Sequence, residues 1–136
     1  MIIYIDIDET ICETPSDRNY SLATPIKENI EKANALYDDG HHIVYWTARG
    51  TGSGIDWKDI TEDQFKSWGV KYHKLKFGKP DYDVFIDDKN FNSDTFFSSD
   101  TEKLIKAMRG LDNIRTVQYM RYQEGLPSQD TEQDST

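Results

Sequence analysis

Ile2-Ile3-Tyr4-Ile5-Asp6-Ile7-Asp8-Glu9-Thr10 sets an apolar run directly against two carboxylates spaced two apart, with a threonine two residues further on. A run rich in Ile and Tyr reads as a buried strand. Strand side chains alternate with period two, so Asp6 and Asp8 point to the same side. Burying two like charges together is costly without a counter-charge or a metal. A chain that places them at the mouth of a core strand is using them.

The stretches that follow repeat the pattern. Residues 11–24 are polar and irregular and read as a loop, with a small hairpin around Arg18 to Leu22; lying above the carboxylates, the loop is either a lid or an ordinary connector. Thr24-Pro25 reads as an N-cap followed by proline at the first helical position. Ile26, Ile30, Ala33 and Tyr37 give that helix an apolar face, and Gly40 stops it. His42 to Thr47 is a second buried strand, completing a strand–helix–strand unit of a parallel sheet. A glycine-rich loop, Arg49 to Gly54, precedes a helix from Trp57 to Trp68 that Gly69 ends. Val70 to Phe77 reads as a third strand and Tyr82 to Ile86 as a fourth, which runs into Asp87-Asp88. Thr101 to Met108 is helical, and Ile114 to Tyr122 suits either a short strand or a helix. The expected organisation is one domain over residues 1–110, an extension over 111–124 and a flexible polar tail over 125–136.

The bulk properties narrow the function. The 136 residues suit one core. A net charge of −9 and a pI near 4.7 argue against bulk attraction to nucleic acid or anionic membrane. The lone cysteine, Cys12, excludes an internal disulfide framework and, lacking an evident His partner, reads as non-catalytic. No apolar stretch reaches the ~18 residues of a membrane span, and the N-terminal strand lacks the features of a signal peptide. A soluble, cytoplasmic protein with no membrane partner is expected.

Asp6, Asp8, Thr10, Thr47, Lys79, Asp87 and Asp88 would therefore collect at strand ends. In an open parallel α/β sheet, ligands bind outside the carboxyl ends of the strands. Clustered carboxylates without a His or Cys cluster suit Mg²⁺. One carboxylate can attack phosphorus to form an aspartyl-phosphate. A second can protonate the leaving oxygen and then activate water. A hydroxyl and a lysine can hold the phosphoryl oxygens. Each residue has a plainer reading as well: solvated strand-end acids, a threonine turn cap, a surface lysine, an aspartate that initiates a turn. Arg49 suits either the outer groups of a substrate or a carboxylate partner within the protein. Trp46, Trp57 and Trp68 read as core, and the three histidines are too scattered for a metal site.

In this order, Asp6-Ile7-Asp8-Glu9-Thr10, Trp46-Thr47-Ala48-Arg49, Lys79 and Ile86-Asp87-Asp88 resemble the four motifs of the haloacid dehalogenase superfamily of phosphatases, over residues 1–100. The resemblance implies a three-layer α/β/α sandwich around a central parallel, Rossmann-like sheet. It implies Asp6 as nucleophile and metal ligand, and Asp8 as general acid/base whose backbone carbonyl also reaches the metal. Thr47 and Lys79 would hold the phosphoryl group, with Thr10, Ala48 and Arg49 on the substrate side. Asp88, assisted by Asp87, would complete a Mg²⁺ site. Neither interval between motifs has room for a large cap domain, so the chain looks like a capless member, whose open site a neighbouring copy could close. The Trp46–Gly54 region also resembles the phosphatase half of phage polynucleotide kinases in layout, and Asp-Glu-Thr resembles phosphatases acting on phosphoserine tails. The expected activity is Mg²⁺-dependent hydrolysis of a small phosphorylated metabolite, such as a sugar phosphate or nucleotide. The alternatives are a polynucleotide 3′-phosphatase, which the acidic balance disfavours, and a phospho-acceptor switch, whose motif order differs.

Overall fold

Parallel pairing of the two most apolar runs organises the fold. The computed structural model describes residues 1–109; the expectations for 111–136 fall outside them. The chain divides into two units, Met1–Ser98 and Ser99–Thr136. In the first, β1 (Ile2–Ile5) pairs in parallel with β4 (His42–Trp46), which pairs in parallel with β5 (Lys74–Lys76). A separate two-stranded antiparallel ribbon joins β2 (Cys12–Glu13) to β3 (Thr24–Pro25). The helices of this unit are α1 (Lys27–Asp38), α2 (Lys58–Trp68), the short α3 (Ser93–Ser98) and a 3-10 turn at Tyr20–Leu22. The described part of the second unit carries a helix over residues 101–109. The protein is thus of mixed α/β class. No helix among the described residues is long and apolar enough to cross a membrane.

The core lies on one face of the sheet. Ile5, Ile7, Ile43 and Tyr45 are buried there, joined by Ile30, Ala33 and Leu36 of α1 and Phe65 of α2. Tyr45 meets Phe65 edge-on at 5.0 Å between ring centroids. Each large apolar side chain buried this fully contributes about 1.5–3 kcal/mol. Asn34 of α1 ties the helices together, donating to the Gly69 carbonyl and accepting from the Lys71 amide. Gly69 ends α2 at φ 70°, a left-handed C-cap that glycine adopts without a Cβ penalty. On the opposite sheet face, Ile2 and Tyr4 are exposed and border an open groove with Val44, Lys74 and Lys76.

Three expectations need correction. The start of α1 lies later than Thr24-Pro25 suggests, because the ribbon takes both residues: Thr24 pairs with Glu13 and Pro25 with Cys12. Ile26 becomes the N-cap, without a side-chain cap bond. The hairpin expected at Arg18–Leu22 is likewise displaced to this ribbon, with a 3-10 turn in its place. The expected strand Tyr82–Ile86 does not form. No strand among the described residues pairs with its backbone, and Val84, Phe85 and Ile86 are 74%, 50% and 93% exposed. A strand needs a ladder partner, and this segment instead makes local contacts: Tyr82 against Phe85, and Asn90 donating to the Asp87 carbonyl.

Candidate active site

The alternation read from the first stretch is present in space. Ile5 and Ile7 face the core, whereas Asp6 and Asp8 line a cavity of about 570 Å³ at the carboxyl ends of the strands. Past β1 the backbone turns: the Thr10 and Ile11 amides both donate to the Ile7 carbonyl, at 3.1 and 2.9 Å. Glu9 takes a left-handed conformation here, φ 59°, unusual for a residue with a Cβ. Its carboxylate accepts from the Thr14 amide at 3.0 Å and pairs with Arg18 at 2.5 Å. Glu9 thereby anchors the loop that supplies Asp17, Arg18 and Tyr20 to the cavity.

Thr47 follows β4 and is buried. Its amide donates to the Lys76 carbonyl, its carbonyl accepts from the Lys79 amide, and its hydroxyl accepts from the Arg49 amide at 3.1 Å. The hydroxyl keeps its proton to donate into the cavity it lines. The glycine loop is fixed by sterics. At Gly50, φ 82°, a Cβ would stand 2.1 Å from the Ile55 carbonyl oxygen. Thr51 then donates its hydroxyl to the Lys79 carbonyl at 2.8 Å, tying this loop to the lysine. Lys79 brings its ammonium to 3.4 Å from Asp6 Oδ1 and lies over the Tyr82 ring.

The two aspartates sit in opposite electrostatic settings. Burial pushes the Asp6 carboxyl above its ordinary value, with Lys79 pulling the other way. Burial acts on Asp8 too, but hydrogen bonds and charge from Arg49, with bonds from Thr14 and Cys12, outweigh it and hold Asp8 below its ordinary value. Arg49 grips Asp8 with two parallel bonds, Nε to Oδ2 at 3.0 Å and Nη2 to Oδ1 at 2.9 Å. Cys12 is buried beside them, its thiol pushed up to about 12 by burial first and then by Asp8. At ordinary pH it is no nucleophile.

Of the residues singled out in the sequence, Asp6, Asp8, Thr47, Ala48, Arg49 and Lys79 line one cavity. Thr10 does not: it is buried in the turn after β1, its carbonyl accepting from Asn29. Asp87 and Asp88 do not line it either; both are exposed in the segment that follows Tyr82. Among the described residues, no group of three or more His, Cys, Asp or Glu is close enough to hold a metal ion. Asp6 is engaged by Lys79, and both Asp8 oxygens are engaged by Arg49. As placed, these side chains do not fit a divalent cation. Sequence reading missed Thr61, Gln64, Tyr20 and Trp57 as site residues. The first two face Arg49 from α2, and the aromatic pair walls the cavity at 5.0 Å between ring centroids. The helical register of α2 relative to Arg49 was the missing signal.

No family model matches the chain, and no curated protein matches it. Among solved structures, it is similar to the crystal structure of a structural-genomics target from Vibrio cholerae. The likeness has a TM-score of 0.67 at 24% identity and covers 77% of this chain and 94% of that one. It supports an α/β fold shared by the two chains.

Proposed function

We propose that the protein is a phosphomonoesterase of the haloacid dehalogenase type, a capless three-layer α/β enzyme acting on a small phosphorylated metabolite in the cytoplasm. The observation that carries this reading is the convergence of Asp6, Asp8, Thr47 and Lys79 on one cavity at the ends of parallel strands. The Asp6 carboxylate attacks phosphorus, forming an aspartyl-phosphate and expelling the alcohol. The small fraction of Asp8 that carries a proton, kept low by Arg49, protonates the departing alkoxide; Asp8, now a carboxylate, takes a proton from the water that attacks the phosphoryl group, returning Asp6 and releasing inorganic phosphate. The Lys79 ammonium and the Thr47 hydroxyl donate to the phosphoryl oxygens as charge builds on them. Four aspartates and three cations line the cavity, a balance that suits a monoester better than a polyanionic strand. Mg²⁺ remains an expectation from the carboxylate-rich sequence, and a copy of the chain remains the expected cover for the open site.

Phosphate release from an aryl phosphate, with and without Mg²⁺ and a chelator, tests the reading. Asp6→Asn should lower kcat by on the order of 10⁴-fold or more, as expected for a lost nucleophile. Turnover that survives this substitution sinks the mechanism. A stoichiometric, stable phospho-protein without turnover would instead favour an acceptor switch.

A further inference from the structure

Arg49 is the most completely engaged polar side chain of the site. It is 0% exposed, and its guanidinium has five N–H donors. Two go to the Asp8 carboxylate. Nη1 donates to Thr61 Oγ1 at 3.0 Å and to Gln64 Oε1 at 2.7 Å. Nη2 also faces Cys12 Sγ at 3.8 Å. With five donors directed at five acceptors inside the protein, none is left for a substrate.

Gln64 continues the chain of contacts. Its Nε2 donates to the Tyr20 carbonyl at 2.6 Å. Tyr20 belongs to the loop over the cavity, and its ring lies 4.9 Å from the Arg49 guanidinium carbon. Asp8, Arg49, Gln64 and Tyr20 therefore form one connected path from the carboxylate to the loop. The acceptor of the path is a backbone carbonyl, so it constrains the loop itself and not merely one side chain. From the other end, Thr14 of the same loop donates to Asp8 Oδ1. The loop and the carboxylate thus hold each other through two routes.

We propose that Arg49 is a positioning residue that fixes the orientation of the Asp8 carboxylate and, through Gln64, couples it to the placement of the 14–24 loop over the cavity. The inference rests on the proposed phosphomonoesterase reading for its catalytic consequence, but its structural half stands apart from turnover. A fork of parallel donors sets a carboxylate plane in a way a lysine cannot. Misplacing a reacting group by about 1 Å can cost about 100-fold in rate. That loss should be largest where Asp8 must deliver a proton, on esters with poor leaving groups, and smaller on activated aryl esters, for which Asp8 acts only on the attacking water.

Two variants and two readouts test it. Arg49→Lys keeps the charge and should lower kcat on an alkyl phosphate about 100-fold, with a several-fold smaller loss on dinitrophenyl phosphate. Gln64→Ala leaves the Arg49–Asp8 fork in place and cuts the link to Tyr20. Amide hydrogen exchange across residues 14–24 should quicken in both variants, while that of β4 stays at its wild-type rate. Equal losses on both esters would overturn the positioning role, and unchanged loop exchange in Gln64→Ala would overturn the coupling. A wild-type protein that releases phosphate from neither ester would sink the phosphomonoesterase reading, and the exchange experiment would still decide the coupling.

Discussion

β4 with its Thr47–Arg49 sequel and the segment from Tyr82 to Asp88 share one sequence pattern, an apolar run ending in polar groups. Their fates differ. Ile43, Val44 and Tyr45 are buried between β1 and β5, and Thr47 and Arg49 are buried beyond them. Val84, Phe85 and Ile86 are exposed, and Asp87 and Asp88 with them. The difference lies in neighbours and not in propensity. β4 has a strand on each side and helices over its face; among the described residues, the later segment has neither. An apolar run specifies a strand only where a ladder and a covering layer are available to it. β1 meanwhile lies at the border of the sheet, with Ile2 and Tyr4 exposed.

The largest effects should separate these two regions by stability. Ile43→Ala should destabilise by about 2–5 kcal/mol, as for any large-to-small change in a closed core. Ile86→Ala should stay within about 0.5 kcal/mol, as expected of an exposed site. Chemical denaturation measures both. Equal costs would break the comparison, because Ile86 would then be packed against something. Acid titration of stability sharpens the site side. Asp8 is held below its ordinary value, so the stability it contributes is present above the unfolded carboxylate value and is lost as pH falls through the lowered one. Asp8→Asn should flatten that acid limb of the melting-temperature profile, and an unchanged limb would deny the Arg49–Asp8 pair its role. The smallest effect concerns Tyr45, whose buried hydroxyl has no hydrogen-bond partner among the described residues. Tyr45→Phe should stabilise by about 1 kcal/mol. A loss of similar size would mean that the hydroxyl is satisfied after all.

Much of this was legible in the chain. The period-two spacing of Asp6 and Asp8, the helix stop at Gly69 and the position of Thr47 after a β-branched run each follow from local geometry, and each is found. What local geometry cannot show is competition. Thr24-Pro25 carries a sound helix-start signal, yet pairing with Cys12-Glu13 claims those residues first. Thr10 satisfies a motif in sequence, but the tight turn around the Ile7 carbonyl takes it away from the cavity. The role of Arg49 was equally hidden, because Thr61 and Gln64 meet it only once α2 has packed.

The strained Glu9 gives the loop a second hold of a different kind. Its pair with Arg18 is about half exposed on both sides, 47% and 52%, whereas the Gln64 link is made by neutral groups in a half-buried position. Dissolved ions weaken the first and hardly touch the second. The loop that lines the cavity should therefore respond to ionic strength in two stages: its Arg18 end loosens as salt rises while its Tyr20 end stays tied. Low-salt conditions would hold both ends, so amide hydrogen exchange at the Arg18 end should quicken with added salt while that at the Tyr20 end stays constant.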